Sequence, residues 1–485
     1  EPLPNLETKF ICANTLIGLQ NGGQLYLQSR QVKATLNLLA DTRRQHFTAS
    51  TIDEKERLRK YDETIRNDLI QLLGADGELS DHNTHLLAEW NPYDQNSIAE
   101  FFDPQWMFGI EKFDVVIGNP PYNVLENGMH EKTEYEKQYS YLKSGRMNIY
   151  QCFFGKGTEL IKNNGILLFI HPKTLLGDAY LSATRKFLLK EYPSFTIINI
   201  ANRKNIFNSV IQSVVISLWN KGNETINCRI GEVIQKDDLK KMSYLIKPKT
   251  DIITKYGTLL ISRDIETYNI DKKIHKVKSM SLNFVTGNME WNKIKKYLSD
   301  KPSKDAKQFI YGENVQRYYV APPNKRAATA FINGIVKIQT LQKLAILAQR
   351  TTAVEQTFRI IATLVNPNDF TYPLVVENHT NVFIYENRKT ALYILGILNS
   401  RLMDFYFRQH NSNTQVSSRE LNHLPVIDVS PKEQQPIITL VDKILSAKKK
   451  NPATDTSTLE QQIDSLVYKL YDITPKEQVI IEKSI

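Results

Sequence analysis

Cysteine is scarce in this chain. Cys12, Cys152 and Cys228 stand far apart among 485 residues. That excludes a disulfide framework or a zinc-binding spacing, and it fits a reducing, cytoplasmic setting. No apolar run reaches the roughly 18 residues that a membrane helix needs, so no membrane partner is expected. The start, EPLPNLETKF, has no initiator Met and no charged segment leading into an apolar core. It does not read as a signal peptide, and the chain reads as a piece of something longer. Histidine is also sparse, and no pair has ligand spacing. His82 and His85 come closest, but SDHNTH reads as a polar loop, so no metal site is expected.

What the chain does have is length and positive charge. At roughly 100–200 residues per domain, its size suggests two to four domains. Hydrophobic residues make up 41% and charged residues 24%, as in an ordinary globular protein. The net charge of +10 serves solubility or a polyanionic partner, since phosphates reward clustered Lys and Arg by counterion release.

Periodicity organises the chain. Residues 9–19 read as a short buried strand and a turn. Leu36, Leu39 and Ala40, then Ile65, Leu69, Leu72 and Leu73, recur at helical spacing. The charges between them, as in DEKERLRKYDETIRND, read as a solvated helix face. Residues 74–100 and 123–146 read as polar loops. A helix is expected to carry Ile149, Phe153, Leu160 and Ile161, and another to cover 178–190. Between and after them, Val115–Ile117, ILLFI (166–170), FTIINIA (195–201) and SVVISLW (213–219) read as strands. Strands alternating with helices argue for a parallel α/β sheet buried on both faces. Beyond about residue 222 the rhythm breaks into a second domain. It closes with the linker-like VSPKEQQP and two amphipathic helices around a plausibly mobile KKKNPATDTST.

FDVVIGNPPY is the stretch that carries chemistry. In an open α/β sheet, ligands bind beyond the carboxyl ends of the strands, and Asn119-Pro120-Pro121-Tyr122 stands at such an end. The prolines stiffen the turn and remove two donors, leaving carbonyls free to accept. Asn119 adds a side-chain acceptor and Tyr122 a flat face. Together they suit a planar group bearing an NH₂, such as a nucleobase.

These residues, with others in the same order, resemble the γ-class adenine-N6 DNA methyltransferases. The likeness is greatest to the methyltransferase and specificity portion of type IIG restriction-modification enzymes, TaqI-like with a fused target-recognition domain. PLPNLETKF-CANTLIGL is similar to the family's third motif, FFDPQWMFGIEKFDVVIGNPPY to its fourth and MNIYQCFFGKGTELIKNNGILLFIHPKTLL to the next two. RKNIFNSVIQSVVISLWNK is similar to the eighth, and ILGILNSRLMDFYF with SSRELNHLPV to the end of a target-recognition domain.

The resemblance implies a partial Rossmann-like class I methyltransferase sheet over 1–224, with a helical insertion at about 25–75. It further implies an α/β target-recognition domain over 225–430 and a C-terminal helical segment over 431–485. It implies a base swung out of double-stranded DNA, with Asn119 and the Pro120 carbonyl holding the amine and Tyr122 and Phe207 stacking on the base. It implies S-adenosylmethionine as cofactor, with Asn14, Pro121 and Phe153 lining its adenine; Phe153 reads equally as a core aromatic on a helical stripe.

Two family parts are missing. The first motif, a Gly-rich loop gripping the cofactor's methionine end, should precede the third. NGGQLY (21–26) and TGNMEW (286–291) are the nearest matches, and neither fits. An upstream segment or a partner chain is therefore expected to complete the site, and this chain alone is not expected to methylate. The Mg-dependent nuclease is also missing. Glu7-Thr8-Lys9 imitates the end of a nuclease site but lacks the earlier acid, so it reads as lead-in surface.

Residues 225–430 are rich in side chains that reach phosphates and base edges. DNA-contact candidates are Lys293, Lys295, Lys296, Arg317, Arg350, Arg359, Arg401 and Arg408, and QHNSNTQVSS (409–418) reads as a flexible, groove-probing loop. Three other readings stay open: an inactive DNA-binding specificity module, a phage-defence adenine methyltransferase without a nuclease, and a protein-glutamine methyltransferase. The last also uses an NPPY turn, but such enzymes are short and lack a recognition domain.

Overall fold

A computed structural model describes residues 5–19, 30–75, 81–94, 96–126, 132–200, 206, 213–222, 227–254, 257–259, 265–322, 330–334, 338–353, 356–411 and 414–484. It is a mixed α/β molecule with open sheets. Its residues divide into two compact units. One holds 1–171, 187–195 and 217–225, and the other holds 172–186, 196–216 and 226–485.

The first unit opens with strand β1 (Cys12–Ala13) and the helices α1 (Arg30–Thr48), α2 (Ile52–Ala75) and α3 (Asp81–Glu89). Strand β2 (Ile98–Ala99), helix α4 (Pro104–Phe108) and strand β3 (Phe113–Gly118) follow. β1 pairs with β2 in parallel. The expected periodicity of α1 and α2 is real, and Leu36, Leu39, Ile65, Leu69 and Leu73 meet Trp90, Phe101 and Trp106 in one apolar cluster.

The charges between those positions are not all solvated. Asp62 is fully buried, and Arg43 and Arg66 are 4% and 6% exposed. Asp62 accepts from Arg43 Nε at 2.7 Å and from Arg66 Nε at 2.8 Å. Arg43 also donates to the carbonyls of Trp106 and Met107, and Arg66 to that of Trp90. The α1–α2 hairpin is thus bolted to α4, the element just before β3. Two other expectations are corrected here. Residues 81–85 of SDHNTH belong to α3, in which Asn83 and Leu87 are buried. The 123–146 loop contains helix α5 (Lys132–Gln138) and a 3-10 turn at Ser140–Leu142.

Helix α6 (Ile149–Leu160) then leads into strand β4 (Ile161–Pro172), longer at its start than expected, and helix α7 (Ser182–Glu191). Strands β5 (Ser194–Ile200), β6 (Val214–Asn220), β7 (Asn227–Val233) and β8 (Tyr244–Pro248) complete a six-stranded sheet of order β3-β4-β6-β5-β7-β8. The sheet therefore runs past the expected boundary at residue 224. The β3–β4 and β5–β7 pairs are parallel, and β8 returns antiparallel to β7. Gly157 lets α6 lie close to β4, since a Cβ there would stand 2.6 Å from Leu167 Cδ1. β3 is not buried on both faces as its Val-Ile run suggested: Val115 is 52% and Ile117 71% exposed.

The second unit holds two further four-stranded sheets. One is built from Val285–Thr286, Ala345–Gln349, Ala362–Val365 and Thr380–Ile384, all antiparallel. The other is built from Leu298–Ser299, Lys307–Ile310, Phe331–Ile332 and Leu374–Val376. The helices Arg388–Leu398, Arg401–His410, Pro431–Lys450, Ser457–Leu470 and Pro475–Lys483 share the unit's main core. VSPKEQQP is not a linker, because Pro431 begins the Pro431–Lys450 helix. KKKNPATDTST is held in place by Lys448 Nζ, which donates to the carbonyls of Pro452 and Thr454. No helix among the described residues is long and apolar enough to cross a membrane.

Candidate active site

The corner at 119–122 leaves β3 at its carboxyl end. Pro120 is buried, Asn119 and Pro121 are exposed, and Tyr122 is half-buried. The chain is pinned just beyond the corner. Leu125 N donates to Met147 O, Ile149 N donates to Asn123 O, and Val124 bridges Asn148. The turn and the first residues of α6 therefore move together. Gln151 accepts from Asn148 N at 2.7 Å and donates to Leu142 O, which anchors that helix start.

Within the corner, Tyr122 Oη donates to Asn119 Oδ1 at 2.9 Å and lies 3.3 Å from the Ile170 carbonyl on β4. Burial raises the Tyr122 pKa, so the phenol keeps its proton at neutral pH. The Asn119 side-chain oxygen thus already accepts from a hydroxyl. Beneath Tyr122 lies Tyr150, edge to face at 84° and 6.3 Å between centroids. Sequence reasoning missed Tyr150. Its only trace there was an aromatic at the start of a helix otherwise read from its apolar stripe.

Two of the cofactor candidates, Asn14 and Phe153, meet one apolar cluster around Leu16 and Tyr135. Asn14 Nδ2 donates to Tyr135 Oη, and Asn14 Oδ1 accepts from Leu16 N. Phe153 packs against Leu16, Leu125, Tyr135, Tyr139 and Met147, so its core role is real. It is only half-buried, however, and it packs on the same cluster, with Leu16 and Tyr135, that the Asn14 amide bonds to. A fixed amide next to apolar surface suits the edge and face of an adenine, so these residues fit that end of S-adenosylmethionine. Of the two Gly-rich stretches, NGGQLY lies outside the described residues. Gly287, in TGNMEW, is a packing glycine, since a Cβ there would sit 2.1 Å from Glu377 O. Glu7 pairs with Arg59 at 2.8 Å and Lys9 lies over Phe47, as lead-in residues would. Phe207 lies outside the described residues.

In the second unit the cations separate into two groups. Lys293, Lys295 and Lys296 are exposed, beside Glu290, Trp291 and Tyr297 respectively. The arginines are held internally. Arg317 donates to Asn399 O, pairs with Glu460 and stacks 3.8 Å over Phe358. Arg350 donates to Asn378 O, and Arg408 to Asp404 and to the carbonyls of Gln356 and Thr357. Arg359 is fully buried over Phe407, and Arg401 faces Asp464. The run 409–418 is no free loop over its described part. Thr352 N donates to Thr414 O, Val416 N to Arg350 O, and Asn381 Nδ2 to Val416 O.

The described residues thus hold an open six-stranded α/β sheet with a proline corner at the end of one strand, and further four-stranded sheets. Residues 11–207 match the Eco57I restriction-modification methylase family, and residues 307–426 match the TaqI-like C-terminal specificity domain. In carrying both matches in this order, the chain is similar to restriction-modification methyltransferases with such a specificity domain. It is 23% identical over 334 residues to the type II methyltransferase M.BsuBI of Bacillus subtilis, and 22% identical over 347 residues to M.PstI of Providencia stuartii. In both cases the match covers 64% of this chain and 64% of the relative, so the chain spans under two thirds of these relatives' length. Among solved structures, the type IIL restriction-modification enzyme MmeI, determined in complex with DNA, matches 86% of this chain and 68% of its own. The TM-score is 0.50 at 13% identity, which is a likeness of fold.

Proposed function

We propose that this chain, once an upstream segment or a partner chain completes its cofactor site, takes part in sequence-specific adenine-N6 methylation of duplex DNA within a restriction-modification enzyme of type IIG organisation. The observation that carries this is the rigid Asn119–Tyr122 corner at the end of β3, whose amide oxygen already accepts from a hydroxyl. A swung-out adenine presents one NH₂. Asn119 Oδ1 and the Pro120 carbonyl accept its two hydrogens, which aims the nitrogen lone pair outward. The amine displaces the Tyr122 hydroxyl, which can turn to the Ile170 carbonyl. The Tyr122 ring then covers one face of the base, and Phe207 is assigned to the other.

S-adenosylmethionine, when bound, supplies an activated methyl group on its sulfonium. Asn14, Pro121 and Phe153 hold its adenine. Because the leaving group is already activated, the residues contribute mainly position and alignment. Domain roles follow: 1–224 for methyl transfer, with β7 and β8 extending the sheet to Pro248, 225–430 for target recognition and 431–485 for support. Mg²⁺ belongs to the nuclease of such an enzyme, and no residue of this chain is assigned to it.

The test is labelled-methyl transfer by the full-length protein to mixed-sequence duplex DNA, with digestion to nucleosides. N6-methyladenosine is the expected product. Methylcytosine, or label in protein alone, would refute the reading. Phe153→Ala is expected to weaken S-adenosylmethionine binding roughly tenfold, about 1.4 kcal/mol, by isothermal titration; unchanged affinity would return Phe153 to a purely structural role. On the recognition side, removing Lys293, Lys295 and Lys296 together should flatten the dependence of log K on log salt by about 0.9 for each phosphate no longer neutralised. An unaltered slope would place the DNA elsewhere.

A further inference from the structure

Tyr122 stands half-buried on a turn, where its bond to Asn119 Oδ1 holds the hydroxyl, but one bond at the tip of the ring does not fix the ring plane. The setting comes from below. Tyr150, 1% exposed, meets the Tyr122 ring edge to face, and its ring is also stacked with His171 at 13° and 6.2 Å between centroids. His171 is fully buried, with Phe154 edge-on at 5.2 Å. Its Nε2 lies 2.8 Å from Ser217 Oγ, which also accepts from Trp219 Nε1 at 2.8 Å. Tyr122, Tyr150, His171, Ser217 and Trp219, flanked by Phe154, thus form a pillar from the middle of the sheet to the corner, and of these six only Tyr122 reaches solvent. Such depth exceeds what packing an exposed turn requires. It suits a group whose orientation must not drift, because a misplacement of about 1 Å in a reacting pair costs on the order of 100-fold in rate.

We infer that Tyr150, braced by His171, is a positioning residue that fixes the ring plane and hydroxyl direction of Tyr122 for the target base. This rests on the base-binding reading above. Tyr150 touches no reacting atom and acts through Tyr122.

The test compares Tyr150→Leu with Tyr150→Phe in the full-length protein. It reads single-turnover methyl transfer, DNA affinity, S-adenosylmethionine affinity and the ¹⁹F resonance of 3-fluorotyrosine at position 122. Tyr150→Leu should slow transfer by about 10- to 100-fold while both affinities stay within about threefold. It should also move the position-122 resonance toward that of free fluorotyrosine. Tyr150→Phe, which keeps the ring, should restore rate and resonance. In a double-mutant cycle the Tyr150→Leu penalty should largely vanish on a Tyr122→Leu background. A folded Tyr150→Leu protein with wild-type rate and resonance overturns the inference, as does full additivity in the cycle. If the Leu variant fails to fold, Tyr150→Met carries the same comparison. If that fails too, the unsubstituted protein decides: a free-tyrosine resonance at position 122 overturns the inference, and a displaced one supports it. If the enzyme methylates something other than adenine, the base reading fails while the resonance still reports on the pillar.

Discussion

Asn119→Ala will lower methyl transfer by at least about 10²–10³-fold, the usual loss when one fixed polar group at a reacting centre is removed. DNA binding will stay within roughly tenfold, about 1.4 kcal/mol. The split follows from geometry. Asn119 is exposed on a corner whose shape is set by Pro120, Pro121 and the pairing of 123–125 with 147–149. Truncating the amide leaves that scaffold standing and removes one acceptor. The phosphate contacts proposed for the recognition region would be untouched. Intact turnover with lost DNA binding would reverse the assigned role. Single-turnover transfer and filter binding on one preparation measure both quantities.

Asp62→Ala will cost about 3–5 kcal/mol of stability, the penalty expected when one partner of a buried ion pair is removed. Two guanidiniums depend on that carboxylate, and both are almost fully buried. Losing it leaves Arg43 and Arg66 with only carbonyl partners. Tyr93, beside the same carboxylate, has its pKa pushed up mainly by burial and then by Asp62. Chemical denaturation followed by circular dichroism reads the change. Because this knot ties α1 and α2 to α4, partial unfolding should begin in the hairpin. A change under about 1 kcal/mol would mean that the knot opens to water and carries little of the stability.

Much of this was legible in the sequence, for physical reasons that differ by element. The helices α1, α2 and α6 and the strands β4, β5 and β6 bury long apolar stripes, and period alone reveals them. The corner at 119–122 could be read because prolines after an apolar run can do little but end a strand. Polar segments failed. α3 and α5 carry few apolar residues, and their helicity comes from neighbours that a window of sequence does not contain. The charges of Arg43, Asp62 and Arg66 look like solvent-facing helix charge, because spacing cannot tell a mutually satisfied buried triad from an exposed one. The arginines of the recognition region have internal partners that spacing could not foretell. Arg359 and Arg408 look available in a string of letters, but the fold gives them an aromatic face, a carboxylate or a carbonyl. Tyr150 and His171 could not be paired from sequence, since one lies on a helix and the other on the strand behind it.

The most direct measurement is a crystal structure of the full-length protein with S-adenosylmethionine's unreactive analogue and a duplex bearing the motif it modifies. One adenine should be out of the helix, its N6 about 2.9 Å from both Asn119 Oδ1 and the Pro120 carbonyl oxygen, with the Tyr122 hydroxyl turned off Asn119. An adenine still stacked in the duplex, or an amine held by other groups while Tyr122 keeps its bond to Asn119, would contradict the account.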